Sequence, residues 1–166
     1  MEETILFPSV LNYVKTKHSE YNKKWALNYE RNNKGTVISN VGGYQSIASD
    51  RFEDIPFFNV IKEGLKELPE FLFCTWWLNI NRKGNYNLQH THPKVDLSVV
   101  YYLTENYGSL ILLDPLQHSR SSFNNSYSIN AQPGDMFIFP ADIPHRVNPH
   151  LSNDVRISLA FNIRLV

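Results

Sequence analysis

Phe71-Leu72-Phe73-Cys74-Thr75-Trp76-Trp77-Leu78-Asn79-Ile80-Asn81 marks the point where the chain changes character. From here onward short apolar and aromatic runs alternate with turn clusters, and no helical period returns. In a strand this stretch sets Trp77, Asn79 and Asn81 on one face and Trp76, Leu78 and Ile80 on the other. Working outward, strands are expected at 71–81, 86–92, 97–103, 109–113, 127–130, 136–139, 145–147 and 155–165. Upstream, Asp54-Ile55-Pro56 reads as the start of a helix lined by Phe57, Phe58, Ile61, Leu65 and Leu68, with proline in the first turn. Val10 to about Asn32 carries Val10, Tyr13, Val14, Trp25 and Tyr29 at helix-like intervals, after a short strand Ile5-Leu6-Phe7 that runs into Pro8-Ser9. Eight short strands after two helices predict a mainly β fold, an antiparallel sandwich or barrel with helices packed on one side. The expected organisation is one domain over 1–166, with 1–70 mainly helical support and 71–166 the β core. His118–Ser126, rich in serine and asparagine, reads as a surface loop near a site mouth.

Composition fits a folded chain: 166 residues, 42% hydrophobic and 13% aromatic, are enough for a buried core. Sixteen basic residues balance sixteen acidic ones, so no overall field draws nucleic acid or an anionic membrane. The single cysteine, Cys74, has no internal partner and suits a reducing compartment. With an acidic Met1-Glu2-Glu3-Thr4 and no apolar run of membrane-spanning length, a cytoplasmic protein is expected.

Gln89-His90-Thr91-His92-Pro93 places two imidazoles at i and i+2, on one face of an extended segment. A third, His145, closes Pro140-Ala141-Asp142-Ile143-Pro144-His145, where two prolines fix the direction of the turn. A lone strand histidine is ordinarily a surface or core residue. Three that converge at a sheet edge can hold one divalent transition metal and leave coordination positions open. His18, His118 and His150 lack partners at ligand spacing; His18 reads as a helix-surface residue and the other two as loop residues.

Eleven residues after His145, Val155-Arg156-Ile157-Ser158-Leu159-Ala160-Phe161 sets Ile157, Leu159 and Phe161 on one face. Arg156, Ser158 and Ala160 fall on the other. An inward guanidinium needs a partner for its forked donors. One reading is a structural pair with an internal Asp or Glu. The other is a co-substrate carboxylate, with the Ser158 hydroxyl beside it and small Ala160 leaving room. Asn79 and Asn81 either bind a ligand or satisfy a strand edge. Tyr101 and Tyr102 point to opposite faces, so one phenol reaches the interior.

Trp77–Asn81, Gly84–Asn87, His90-Thr91-His92-Pro93, Leu97–Leu103, Pro133-Gly134-Asp135, Phe139-Pro140, His145 and Arg156–Asn162 occur in an order that resembles the 2-oxoglutarate/Fe(II)-dependent oxygenases found in bacteria and phages. Leu6-Phe7-Pro8-Ser9 fits as well. The resemblance implies a double-stranded β-helix, a jelly-roll or cupin-like barrel with the metal near its mouth. It implies an oxidoreductase, a dioxygenase that takes Fe(II), 2-oxoglutarate and O2 and hydroxylates a small-molecule or peptide substrate. Carried over residue by residue, His90 is the first ligand, His145 the distal one and Arg156 the carboxylate anchor. Asn79, Ser158 and Tyr102 complete the co-substrate set. His92 stands where the wider superfamily has a carboxylate, so the metal set is His90, His92 and His145, with Asp96 or Asp114 as the alternative acid.

A rival shares the fold. Gly84, His90, His92 and Asp96 also resemble the first cupin motif, and Gly134–Pro140 with His145 loosely echoes the second. A cupin-type metalloprotein would use His90, His92, Asp96 and His145 and have no need of Arg156. The helical N-terminal third and Arg156-Ile157-Ser158 favour the oxygenase. A nucleic-acid partner is not expected, and a homodimer is compatible with the sequence.

Overall fold

The computed structural model describes residues 10–115 and 126–166. The expected strand at Ile5-Leu6-Phe7, His118 and all but the last residue of the His118–Ser126 loop lie outside the described residues.

In chain order the elements are β1 (Asn12–Lys15), α1 (Glu20–Asn32), β2 (Asn40–Val41), β3 (Tyr44–Gln45), α2 (Phe58–Gly64), β4 (Phe71–Asn81), β5 (Tyr86–His90), β6 (Leu97–Tyr102), β7 (Asn106–Leu113), β8 (Ser126–Ala131), β9 (Asp135–Pro140), β10 (His145–Val147) and β11 (Arg156–Leu165). A six-stranded sheet runs β1-β9-β6-β11-β4-β3, and a five-stranded sheet runs β2-β5-β10-β7-β8. All the strand pairings are antiparallel. The two sheets form the double-stranded β-helix that the resemblance implies.

The large sheet is buried on both faces, which explains near-continuous apolar runs such as Leu97–Tyr102. Trp76, Leu78, Ile80, Val99, Tyr101, Ile157, Leu159 and Phe161 turn outward and pack with Ala26 of α1 and Ile61 of α2. Val100, Tyr102, Phe137 and Phe139 turn inward against Leu110, Leu112, Ile129 and Val147 of the small sheet. Trp76 is fully buried, donates its indole N–H to the Arg51 carbonyl at 3.0 Å and meets the rings of Trp25 and Tyr29. The alternation read from Phe71–Asn81 therefore holds: one face supports the helices and the other lines the interior.

Three features of the N-terminal part differ from expectation. Residues 12–15 form a strand rather than the first turn of a helix, paired with β9, with Tyr13 against Phe137 at 5.3 Å. The helix begins only at Glu20, because the Ser19 side chain accepts from the Tyr21 N–H and caps it. Pro56 does not open α2. Ile55, the residue before it, is held extended (φ −98°, ψ 103°), so a short 3₁₀ turn at Phe52–Asp54 stops there and α2 starts at Phe58. The two-residue strands β2 and β3 are too short to carry a period, and both add edges to the sheets. Among the described residues, no helix is long and apolar enough to cross a membrane.

Candidate active site

β5 and β10 pair with His90 opposite His145, and two residues later on β10 Val147 meets Asn87, three residues back on β5. This bulge puts one extra residue into β5, so Asn87 and His90 both reach the interior although their spacing has the wrong parity for a regular strand. β5 ends at His90. His92 lies just beyond the strand, so its direction is not set by alternation. Its backbone N–H donates to the Ala141 carbonyl at 2.9 Å, and its ring lies against Trp77, with centroids 5.2 Å apart.

The ligating nitrogens of His90, His92 and His145 all lie within 4.8 Å of one another. His145 Nδ1 faces the Ile143 carbonyl at 2.9 Å, and His90 Nδ1 faces the Leu88 carbonyl at 2.7 Å. A carbonyl only accepts, so each Nδ1 carries the proton and each Nε2 presents a lone pair. His92 Nε2 stands 3.2 Å from His145 Nε2. Burial, followed by the neighbouring imidazoles His145 and His90, brings the His92 pKa down to about 3. Burial brings His145 down to about 4, and burial lowers His90 as well. All three rings are neutral at physiological pH, the form that binds a metal. Three converging imidazole lone pairs fit a divalent first-row transition metal such as Fe(II).

Asp96 is not beside them. Its Oδ2 accepts from the Leu165 N–H at 2.9 Å, at the end of β11, and its carboxylate is exposed. Among the described residues neither Asp96 nor Asp114 joins the three imidazoles. The four-ligand cupin set that includes Asp96 is therefore not assembled.

The interior floor is built row by row across β4, β11 and β6. Asn81 pairs with Arg156; Asn79 and Tyr102 flank Ser158; Trp77 and Val100 flank Ala160. One cavity is lined by the three imidazoles together with Trp77, Asn79, Arg156, Ser158 and Ala160. Arg156 is 2% exposed. Its Nε donates to Asn106 Oδ1 at 2.9 Å and its Nη1 to Asn81 Oδ1 at 3.1 Å, and its guanidinium lies 5.4 Å from the centre of the Tyr102 ring. Among the described residues no carboxylate pairs with it. The internal Asp or Glu of the plainer reading is absent there.

Tyr102 is the inward tyrosine. Its ring lies beside the guanidinium and does not line the cavity. Its hydroxyl is buried and, among the described residues, has no partner within hydrogen-bond geometry. Burial raises its pKa, and the charge of Arg156 opposes the rise. Tyr101 faces the helices and donates to the Lys17 carbonyl at 3.3 Å. Asn79 lines the cavity, whereas Asn81 is engaged with Arg156. His18 precedes α1 rather than lying on it, and His150 is buried, with Nε2 2.6 Å from the Asp154 carbonyl.

Asn106 and Asn87 were not legible as site residues. Asn106 stands four residues from Tyr102 across a turn, outside any alternating run. Asn87 has the parity opposite to His90, and only the bulge reveals it.

A double-stranded β-helix whose cavity holds converging imidazoles and an arginine with no carboxylate partner among the described residues is the arrangement of a metal-dependent enzyme of the oxygenase type. Residues 75–162 match the family model described as "Putative 2OG-Fe(II) oxygenase", more than half of the chain, and the chain belongs to that family. It is an oxidoreductase whose cofactors are Fe(II) and 2-oxoglutarate.

Solved structures of low identity share the fold. HygX from Streptomyces hygroscopicus, solved with nickel and 2-oxoglutarate bound, is 11% identical over 95% of this chain and 84% of that one, with a TM-score of 0.68. A prolyl hydroxylase from Trichoplax adhaerens, in complex with a hypoxia inducible factor peptide fragment, is 13% identical over 93% and 83%, with a TM-score of 0.66. An oxidoreductase of the 2OG-Fe(II) oxygenase family from Burkholderia pseudomallei is 14% identical over 64% of this chain, with a TM-score of 0.50, and this chain spans about half its length (49%). No curated protein matches the sequence at a significant level.

Proposed function

We propose that this oxygenase hydroxylates a C–H bond of a peptide or small-molecule substrate. In this reading His90, His92 and His145 hold the iron, and Arg156 receives the distal carboxylate of 2-oxoglutarate. Asn79 and Ser158 line the co-substrate's path, and Tyr102 backs the guanidinium. The observation that carries the reading is one cavity shared by three neutral imidazoles and a buried arginine that has no carboxylate partner among the described residues.

Fe(II) and 2-oxoglutarate, when bound, supply the reductive activation of O2: one oxygen atom goes to the substrate C–H and the other to succinate, with loss of CO2. The chain's own contribution is placement and dryness. Backbone carbonyls of Leu88 and Ile143 fix the tautomers of His90 and His145. Arg156 orients the co-substrate along the row Arg156–Ser158–Ala160, where the small Ala160 leaves space. Val100, Leu110, Phe139 and Val147 wall the cavity against water.

The Trichoplax enzyme's peptide favours a peptide side chain or a similarly sized metabolite as substrate. Arg156 is the only Lys or Arg among the described residues that line the cavity, which speaks for a small-molecule or peptide substrate over one needing several phosphate contacts. We read residues 1–166 as one functional unit.

Incubation with Fe(II), ascorbate, O2 and 2-oxoglutarate should yield succinate, slowly alone and faster with a peptide or metabolite that gains one oxygen atom by mass. Iron-loaded protein that neither binds 2-oxoglutarate nor forms succinate would overturn the reading.

A further inference from the structure

A buried arginine ordinarily demands a negative partner. Here the partners are amides. Asn106 is 1% exposed, and its Nδ2 donates to the Ile129 carbonyl at 2.7 Å, which fixes the amide so that Oδ1 faces Arg156 Nε. Ser109 Oγ, also buried, donates to the same Oδ1. On the other side Asn81 Oδ1 takes Nη1, and the Asn81 Nδ2 reaches Asn87 Oδ1 at 3.4 Å. Asn87 Nδ2 in turn reaches Ser39 Oγ at 3.3 Å. The chain Ser39–Asn87–Asn81–Arg156–Asn106–Ser109 joins both sheets, and every member except the guanidinium is neutral. Asp135, the acidic group whose charge reaches the neighbouring Tyr102 hydroxyl, is held by Lys15 at 2.7 Å.

We propose that Asn81 and Asn106 are positioning residues that hold the Arg156 guanidinium in a fixed direction while leaving its charge uncompensated, so that the cavity selects 2-oxo acids bearing a second, distal carboxylate. Amide oxygens satisfy donors without cancelling charge. A carboxylate in either position would give the same geometry and remove the attraction on which the selection depends. The inference rests on the proposed role of Arg156 and assigns the source of its selectivity to two neutral neighbours.

The test compares 2-oxoglutarate with pyruvate, which keeps the 2-oxo acid end and lacks the distal carboxylate. Both are titrated by calorimetry into the Ni(II)-loaded protein without O2. Asn81→Asp is nearly isosteric, and the Asn87 amide can turn over to donate to the new carboxylate. It should weaken 2-oxoglutarate by about tenfold or more, the scale for disturbing a buried charged contact, with pyruvate affinity and melting temperature little changed. Asn106→Ala frees Nε, lets the guanidinium turn and should cut the preference for 2-oxoglutarate while Ni(II) binding persists. It decides the matter if Asn81→Asp does not fold. Arg156→Ala serves as the reference and should abolish the preference. If Arg156→Ala abolishes the preference while Asn81→Asp and Asn106→Ala keep the wild-type ratio, the positioning role is overturned and the anchor role stands. If Arg156→Ala itself leaves the ratio unchanged, both fall.

Discussion

His92 Nε2 lies 3.2 Å from His145 Nε2, two ring nitrogens facing each other with the His145 proton held on its far side by the Ile143 carbonyl. Nitrogen lone pairs set this close gain little from each other and much from a cation. A proton on either ring sits in a buried site beside other imidazoles, which is why both pKa values fall.

The pH dependence of stability follows from these values. The folded-state pKa values, about 3 for His92 and about 4 for His145, lie below the ordinary 6.5. The unfolded chain therefore takes up protons first as pH falls. Their contribution is full above about 6.5 and is lost as pH drops towards 4 and then 3, each unit being worth about 1.4 kcal/mol. Metal-free protein should melt at progressively lower temperature from pH 7 to pH 4, and His92→Asn should flatten the trend. A His92→Asn profile parallel to wild type contradicts the assignment.

Metal binding should depend on the imidazoles and not on Asp96. His90→Ala or His145→Ala should weaken Ni(II) or Fe(II) by more than about a hundredfold, beyond the 10–100-fold typical of losing an outer partner. Asp96→Ala should leave metal affinity unchanged and cost about 1 kcal/mol of stability, through the Leu165 N–H it no longer accepts. Loss of metal in Asp96→Ala, read by calorimetry, would reverse the ligand assignment.

Arg156→Lys keeps the charge and loses the planar fork, so 2-oxoglutarate should bind more weakly with metal affinity intact. Arg156→Ala should weaken it further. It also leaves Asn81 Oδ1 without its donor, so the ligand-free protein should lose about 1–3 kcal/mol, measured by urea unfolding. A variant that loses stability but binds 2-oxoglutarate as before would make Arg156 structural.

Gly134→Ala should destabilise the fold by about 1–3 kcal/mol. Gly134 has φ +89°, and an added Cβ would stand 2.8 Å from the Thr16 carbonyl oxygen, a backbone atom that cannot rotate away. Its own N–H donates to the Tyr102 carbonyl, so the strain reaches the floor beneath Arg156. Unchanged thermal melting would contradict the account.

Much of this was legible because burial on a sheet leaves a period of two. Phe71–Asn81 and Arg156–Leu165 announce both faces of the large sheet, and the inward set Arg156, Ser158, Ala160 follows from alternation alone. What could not be read depends on contacts without a period. β1 resembled helix because Tyr13 and Val14 satisfy either spacing locally, and only pairing with β9 decides. His92 leaves the strand, and Asn87 enters the cavity through a bulge. Asn106 joins Arg156 from the other sheet, fifty positions away in sequence.

In the proposed reading one cavity would bind metal at its imidazoles and the distal carboxylate of 2-oxoglutarate at Arg156. Anaerobic titration of the Fe(II)-loaded protein with 2-oxoglutarate, followed in the visible spectrum, tests it most directly. A charge-transfer band from chelation of Fe(II) by the 2-oxo acid should appear stoichiometrically in wild type. It should be absent in His145→Ala and require far more 2-oxoglutarate in Arg156→Ala. A wild-type protein that binds iron yet shows no band at saturating 2-oxoglutarate, or an Arg156→Ala variant that titrates like wild type, would contradict the account.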